Sequence, residues 1–522
     1  IEGGLDANTA TTQAVEGMTS RLNNTAGAIT LSKTGDVGIH FSSKRMGWAY
    51  VKDDKIYYGV NKGQVLEEDY IQLGRKIHGI ISPCENLLHS GSLKGLKSMQ
   101  CSDKFDFYYL TVFRNANRRI SIASLYLGTG SMEKKLLEVT KVNLEKHKSL
   151  KFKVLLDYQR GTRGEVNSVS LLKEFIDDIP EQCSVNLYQT PRLQGLWSKA
   201  LPSRYNELIG LQHMKLYIVD DSVMLSGANC SNDYFQQRQD RYIEIEDADL
   251  ANFYSELIDE VSNFSKQCSK NGIHEKQFPS KEVLVQEMRN RICLLMERWK
   301  GNQITKFLSS QEDTRDTWIF PLIQMGQFGL TQDEQVTSRV LATAPEGSFV
   351  QLATGYFNLT DQYAQTLLAD CKANISLLMA HPNANGFLGA SGPAGGIPHA
   401  YSLIARQFWQ KVCCTNQAGR VQMLEYERPG WTFHAKGLWY YPPGSKVPWA
   451  TIVGSANLGE RSVKRDLEAQ AAIFTVSPEL QNKLHEESQL LHQYATECSR
   501  EIQNRETPLW VRATVGLFRT YF

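Results

Sequence analysis

The chain has 522 residues, enough for two or three domains with substantial cores. Its 42% apolar and 22% charged residues describe an ordinary globular protein, and 57 basic against 56 acidic residues leave a formal charge of +1. That balance excludes a whole-molecule polyanion binder, so no nucleic-acid partner is expected and any attraction for phosphate must be local. No apolar run approaches the roughly eighteen residues of a spanning helix, so none is expected. The ten cysteines are scattered without metal-ligand spacing and read as reduced thiols. The sequence opens on Ile1, so a transit peptide would lie outside it.

In residues 1–62, Ala14 to Met18 read as helix, and Ala28 to Ser32, Asp36 to Phe41 and Lys55 to Val60 read as short strands parted by Lys-Thr-Gly-Asp and Lys-Asp-Asp turns. The segment resembles the C-terminal end of the isoaspartyl peptidase/L-asparaginase family. That family's threonine nucleophile has no match here, which implies no amidase activity and a remnant or fused segment. Residues 63–100, with the Gly-, Ser- and Lys-rich run Ser90 to Ser98, suit a linker.

A first unit is expected over 101–265. Ser121 to Leu127 reads as a strand, Gly128-Thr129-Gly130 as a turn, and Ser131 to Leu137 as the start of a helix whose N-terminal amides could hold a phosphate. The turn lacks the Gly-Lys-Ser/Thr ending of a P-loop. Lys153 to Asp157 is a second strand, followed by Arg160 and Arg163 in a glycine-containing turn. With Arg192, these suit a diphosphate, because guanidinium pairs bidentately with phosphate oxygens.

Gln212-His213-Met214-Lys215 follows. On a strand His213 and Lys215 would face one side. Imidazole can attack phosphorus and leave again, while a neighbouring ammonium balances charge on the phosphoryl oxygens. After four intervening residues, Asp220 is the carboxylate expected to fix the tautomer of His213. Gly227-Ala228-Asn229-Cys230-Ser231 and then Asp240-Arg241 complete the unit.

Residues 266–335 read as a mostly helical, polar connector, in which Val283 to Ile292 keeps a stripe suited to core packing. Over 336–500 the first pattern returns. Leu352 to Asn358 matches Ile122 to Gly128, Phe433-His434-Ala435-Lys436 repeats the His-x-Lys pair, and Gly454-Ser455-Ala456-Asn457 repeats the turn. A repeat of about two hundred residues is a duplicated domain rather than a solenoid unit. The second copy has Tyr441 where the first has Asp220, and Glu468 is its candidate carboxylate. Asn383 to Pro398 is a glycine-rich loop able to cover a site. Residues 501–522 mix aromatic and basic side chains, as interfacial segments do, with packing on the body as the equal alternative.

Two His-x-Lys elements with downstream Gly-x-Asn turns resemble the phospholipase D superfamily, whose halves share one active site. The stretches Asp157 to Gly164, Ile209 to His213, Arg238 to Tyr242, Pro321 to Met325, Ala353 to Thr360 and Gly430 to Trp439 resemble the mitochondrial phosphatidylglycerophosphate synthases, from about residue 100 onward. The expected fold is mixed α/β, two duplicated halves each built as a mixed sheet flanked by helices. The resemblance implies transfer of a phosphatidyl group from CDP-diacylglycerol to glycerol 3-phosphate through a phosphohistidine. It implies catalytic roles for His213, Lys215, Asp220, His434, Lys436 and Glu468. Substrate contacts would come from Asn229, Asn457, Arg160, Arg163 and Ser231, and His213 is favoured as nucleophile because its motif is complete. It also implies no required cofactor or metal, nucleotide binding over Ala123-Ser124-Leu125-Tyr126-Leu127-Gly128-Thr129-Gly130, peripheral membrane contact, and a mitochondrial, inner-membrane-associated location. Phosphatidylserine or cardiolipin synthesis, hydrolysis, or an inactive scaffold are the alternatives the residues leave open.

Overall fold

The computed structural model describes residues 5–52, 55–69, 89–90, 97–99, 104–193, 209–309, 316–390 and 392–521, and the chain divides into two compact units, Ile1–Ser82 and Pro83–Phe522. In the first unit the helix Ala7–Leu22 starts where the Asp6 carboxylate accepts the Asn8 and Thr9 amides, and it ends at Asn23 in the left-handed region. Strands Gly27–Leu31 and Val37–Phe41 form a hairpin against it. Gly38 is required there, because a Cβ would stand 2.1 Å from the Ala7 carbonyl oxygen. Arg45–Lys52, Lys55–Asn61 and Leu66–Asp69 make a separate three-stranded sheet, its first strand absent from the sequence-based expectation.

The second unit is built on two mixed sheets. In the first, strands Cys183–Tyr188, Lys151–Asp157, Arg119–Ala123, Leu216–Val219, Ser222–Ser226 and Tyr242–Glu246 lie side by side in that order. The second repeats the arrangement with Val421–Tyr426, Asn374–Ala380, Phe349–Thr354, Gly437–Tyr441, Ala450–Gly454 and Glu468–Thr475. In both, the first three strands are parallel and the last three antiparallel. The parallel strands are near-continuous apolar runs buried on both faces, as helix-covered strands must be.

Boundaries differ from the expectation. Lys266–Ser269 and Gly272–His274 extend the first sheet, and Thr317–Met325 runs along the second, so the connector is helical only over Lys281–Ser309. Leu284, Met288, Ile292, Leu295 and Trp299 of that helix are buried, so its stripe packs into the core. Within the stretch read as a linker, Lys97–Met99 pairs with the first sheet and His89–Ser90 with the second. A single apolar core runs between the sheets, joining Leu216, Val223 and Ile243 to Ile319, Val453 and Ile473.

Arg241 fastens the halves. Fully buried, it donates to both Glu487 oxygens, to the Ile452 carbonyl and to the Thr451 hydroxyl, and lies 3.9 Å over the Trp439 ring. Arg241→Ala leaves Glu487 buried without its cation, a loss of about 3–5 kcal/mol, whereas Lys483→Ala at the exposed Lys483–Glu479 pair leaves stability almost unchanged. Urea denaturation should show a large drop in midpoint for the first variant and almost none for the second.

Candidate active site

Two short backbone contacts between the halves build the site. Arg238–Gln239 pairs in parallel with Thr432–Phe433, and Gln212 bridges Leu467 in the same sense. The His434 amide thereby donates to the Gln239 carbonyl at 2.8 Å and the His213 amide to the Leu467 carbonyl at 2.9 Å. Gln239 precedes Asp240 and Leu467 precedes Glu468, so each histidine meets the carboxylate of the opposite half. His434 Nδ1 lies 2.7 Å from Asp240, and His213 Nδ1 lies 2.9 and 3.0 Å from the two Glu468 oxygens. Ser455 and Ser462 hydroxyls donate to Glu468, and the Arg241 amide to Asp240. A carboxylate on Nδ1 keeps the proton there and turns the Nε2 lone pair outward.

Gln212, just before His213, is held by Asp157, which accepts the Gln212 and Arg160 amides at 3.1 and 3.0 Å. His213 and Lys215 sit in an extended lead-in, with the strand itself starting at Leu216. The Lys215 ammonium donates to the His213 carbonyl at 2.8 Å, and that of Lys436 reaches both the His434 carbonyl and Nδ1. Tyr234 and Tyr356 meet the His434 ring edge-on, at 5.2 and 5.4 Å between centroids.

All six groups are buried. Burial, reinforced by the neighbouring lysine, holds His213 and His434 well below the usual imidazole range. Burial also lowers Lys436 to about 8 against the pull of Asp240, and raises Asp240 to about 6 against that of Lys436. Lys215 is pushed well down and Glu468 up, again by burial. In the His434–Asp240 pair each shift works against the short hydrogen bond between them, so we read the pair as sharing one proton.

Asp220 is a correction. It stands about 20 Å along an extended chain from His213, in the left-handed region at φ 50°, and its carboxylate accepts the Asn117, Arg118 and Arg119 amides. It clasps the edge of the sheet and touches no histidine. Glu468 is corrected too, since its partner is His213 rather than the histidine of its own half. Of the substrate residues, Asn229 is buried, with its amide nitrogen on the Tyr234 hydroxyl and its Oδ1 unpaired. Asn457 is half-buried and takes the Thr354 hydroxyl. Ser231, Arg160 and Arg163 line a neighbouring cleft together with Tyr126 to Gly130, while Ala123, Ser124 and Leu125 are buried beneath it. Arg192 is exposed and does not line that cleft. Gly386, in the loop from Asn383 to Pro398, comes so close that a Cβ would lie 3.4 Å from Arg238 and from the Tyr356 hydroxyl.

Sequence reasoning gave no role to Arg238, Tyr234, Tyr356 or Arg461, although Arg238 and Tyr356 lie in stretches that carry the family resemblance. Ser455 was legible as part of Gly-Ser-x-Asn, although its task of holding Glu468 was not. Among the described residues His213, Asp466 and Glu468 form a set that could hold a metal ion. Each is engaged: Glu468 by His213 and two serines, and Asp466 by Arg461 and the Leu211 amide.

Two repeated mixed sheets meeting at crossed His-Lys elements bring two histidines, two lysines and two carboxylates into one enzyme site. The fold matches the crystal structure of phosphatidylserine synthase from Haemophilus influenzae Rd KW20, with a TM-score of 0.62 and 18% identity over 84% of this chain and 96% of that one. The chain is 41% identical over 461 residues to the mitochondrial CDP-diacylglycerol–glycerol-3-phosphate 3-phosphatidyltransferase of Gallus gallus, covering 81% of this chain and 83% of the relative. Against the Homo sapiens protein of that name it is 42% identical, covering 78% and 80%. The chain therefore belongs to the CDP-diacylglycerol–glycerol-3-phosphate 3-phosphatidyltransferase family. Residues 1–60 match a different family, Asparaginase.

Asp240→Asn should lower kcat by about 10²–10⁴-fold, whereas Asp220→Asn should leave kcat at the wild-type value and lower only the melting temperature; steady-state rates beside thermal melts separate the two. A second expectation concerns pH. Asp240 must be a carboxylate, which is lost as pH falls through about 6, and Lys436 a cation, which is lost as pH rises through about 8. A profile of kcat/KM should be bell-shaped with limbs near those values, and Lys436→Arg should move the alkaline limb upward.

Proposed function

We propose that the protein transfers a phosphatidyl group from CDP-diacylglycerol to glycerol 3-phosphate, giving phosphatidylglycerophosphate and CMP, the first step toward phosphatidylglycerol and cardiolipin. The observation that carries this is the crossed pair His213–Glu468 and His434–Asp240. It offers two buried neutral imidazoles, each backed by a carboxylate, with two lysines beside them. His213 Nε2 attacks the phosphorus on the diacylglycerol side. The bond from that phosphorus to the bridging oxygen breaks, and CMP leaves with the electron pair as a phosphate anion, its charge balanced by Lys436, while the Nδ1 proton of His213 stays in the hydrogen bond to Glu468. In the second step His434 takes the proton of the sn-1 hydroxyl, whose oxygen attacks phosphorus and releases His213. Lys215 and Lys436 balance charge on the phosphoryl oxygens, with Asn229 and Asn457 beside them, so the scheme calls on no metal.

The donor's acyl chains call for peripheral membrane contact. Among the described residues no helix is long and apolar enough to cross a membrane. The helix Leu509–Phe518 buries Val511 and Val515, while Leu509 and Leu517 are 80% and 77% exposed beside Trp510, Phe518 and Arg512, a composition suited to an interface. The names of the curated relatives support a mitochondrial location, and placement at the inner membrane is part of this proposal.

The test is purified protein on anionic vesicles carrying CDP-diacylglycerol, with radiolabelled glycerol 3-phosphate. Label should enter the lipid phase with wild type and not with His213→Ala. Leu509→Glu combined with Leu517→Glu should release the protein from sedimenting vesicles while preserving turnover in detergent micelles. CMP release without lipid label would instead identify a hydrolase.

A further inference from the structure

A cleft of about 370 Å³ opens beside the histidine site, over the turn Tyr126 to Gly130. Its floor carries Glu133, which is fully buried: one carboxylate oxygen accepts the Asn232 amide, and the other has no hydrogen-bond partner. A buried carboxylate oxygen without a partner is costly unless a ligand supplies the donor. The glycines above it are there for its sake, since a Cβ on Gly128 would fall 1.9 Å from one Glu133 oxygen and a Cβ on Gly130 2.8 Å from the other. Arg160 and Arg163 stand on the wall, with the Arg160 guanidinium 4.8 Å over the Tyr126 ring, and the helix Ser131–Lys146 starts at Gly130 without a side-chain cap. Cations, uncapped amides and a carboxylate in one cleft suit a phosphate ester with nearby hydroxyl groups.

In the second half, Gly355, Phe357, Met379 and Asn385 line a much smaller opening of about 10 Å³. Leu127 bridges Cys230 in parallel in the first half, whereas in the second Leu359 bridges Gly459 in the antiparallel sense. There the C-terminal turn Arg519–Tyr521 fills the space: Arg519 bonds Asn358 and the Leu359 carbonyl, and Arg465 lies over Tyr521. The wide cleft therefore belongs to the first half.

We propose, on the basis of the transferase function above, that the open cleft takes the cytidine 5′-phosphate half of the donor. Arg160 and Arg163 hold phosphate, Tyr126 meets the base and Glu133 accepts from the ribose hydroxyls. Glycerol 3-phosphate offers related chemistry, but it is small for the space and has no ring for Tyr126. The short helix Asn232–Gln236, which lines the cleft with Asn232, carries Tyr234 against His434. The nucleotide therefore departs on the His434 side, which leaves His213 to attack from the other face.

The experiment titrates CMP calorimetrically into the full chain and measures initial rates while varying each substrate, for wild type, Glu133→Gln and Arg163→Ala. Both variants should bind CMP at least tenfold more weakly and raise the KM for CDP-diacylglycerol, with the KM for glycerol 3-phosphate unchanged. Arg163 is exposed, so its variant reports on the cleft even if Glu133→Gln folds poorly. A raised KM for glycerol 3-phosphate with CMP binding intact would overturn the assignment in favour of the acceptor. Wild type that transfers but binds no CMP, or binds ATP as tightly, would overturn it as well. CMP binding that the variants lose, in a protein without transfer activity, would support the cleft and refute the transferase.

Discussion

Each histidine of the site is fixed by a carboxylate from the other half of the chain, and the rest of the catalytic unit is arranged around that crossing. Two backbone contacts of one or two residues, Gln212 with Leu467 and Arg238–Gln239 with Thr432–Phe433, are enough to impose it. They place the amide of one residue in each His-x-Lys element on the carbonyl that precedes the opposite acid. Neither half alone can make a tautomer-fixed imidazole, so chemistry depends on docking. The shared apolar core and the buried Arg241 bonds hold that docking, and the low dielectric they create strengthens every polar contact inside.

The parts of this site that were legible in the sequence are those where chemistry demands a residue type at a fixed spacing. His213 and Lys215, His434 and Lys436, and the two Gly-x-Asn turns are of that kind, and the repeat of strand order followed from their duplication. What was illegible is contact across the halves. Asp220 lies near His213 in the chain and far from it in space, because the strand between them runs the length of the sheet. The second half contains the control: Tyr441 stands where Asp220 would, bonded to His485, and the site loses nothing. Glu468 was recognised as an acid and given to the wrong histidine for the same reason. Tyr234, Tyr356 and Arg461 reach the site from turns whose paths are set by packing, which leaves no periodic signal. The short strands at the sheet edges escaped for a related reason, since two or three residues are too few to show alternation.

The two halves are alike in topology and unlike in detail. Glu468 is longer than Asp240, presents both oxygens to its histidine and is held by two serines. Asp240 presents one oxygen, beside a lysine that reaches the ring nitrogen itself. A two-step transfer asks different things of its two imidazoles, one to bond phosphorus and the other to move a proton. Duplication supplies the frame, and the unequal acids supply the division of labour.

The charges buried here also explain why the site suits phosphorus. Lys215 and Lys436 face Asp240 and Glu468, so with neutral histidines the four charges cancel, and burial has already lowered both lysines. A diphosphate entering this space adds negative charge beside them. The incoming charge raises the lysine pKa values again and so favours the cations that the transition state needs. Water would provide the same compensation only by reorienting at each step. The fixed lysines need no such reorganisation, and the cost of keeping them buried is met when the protein folds, before substrate arrives.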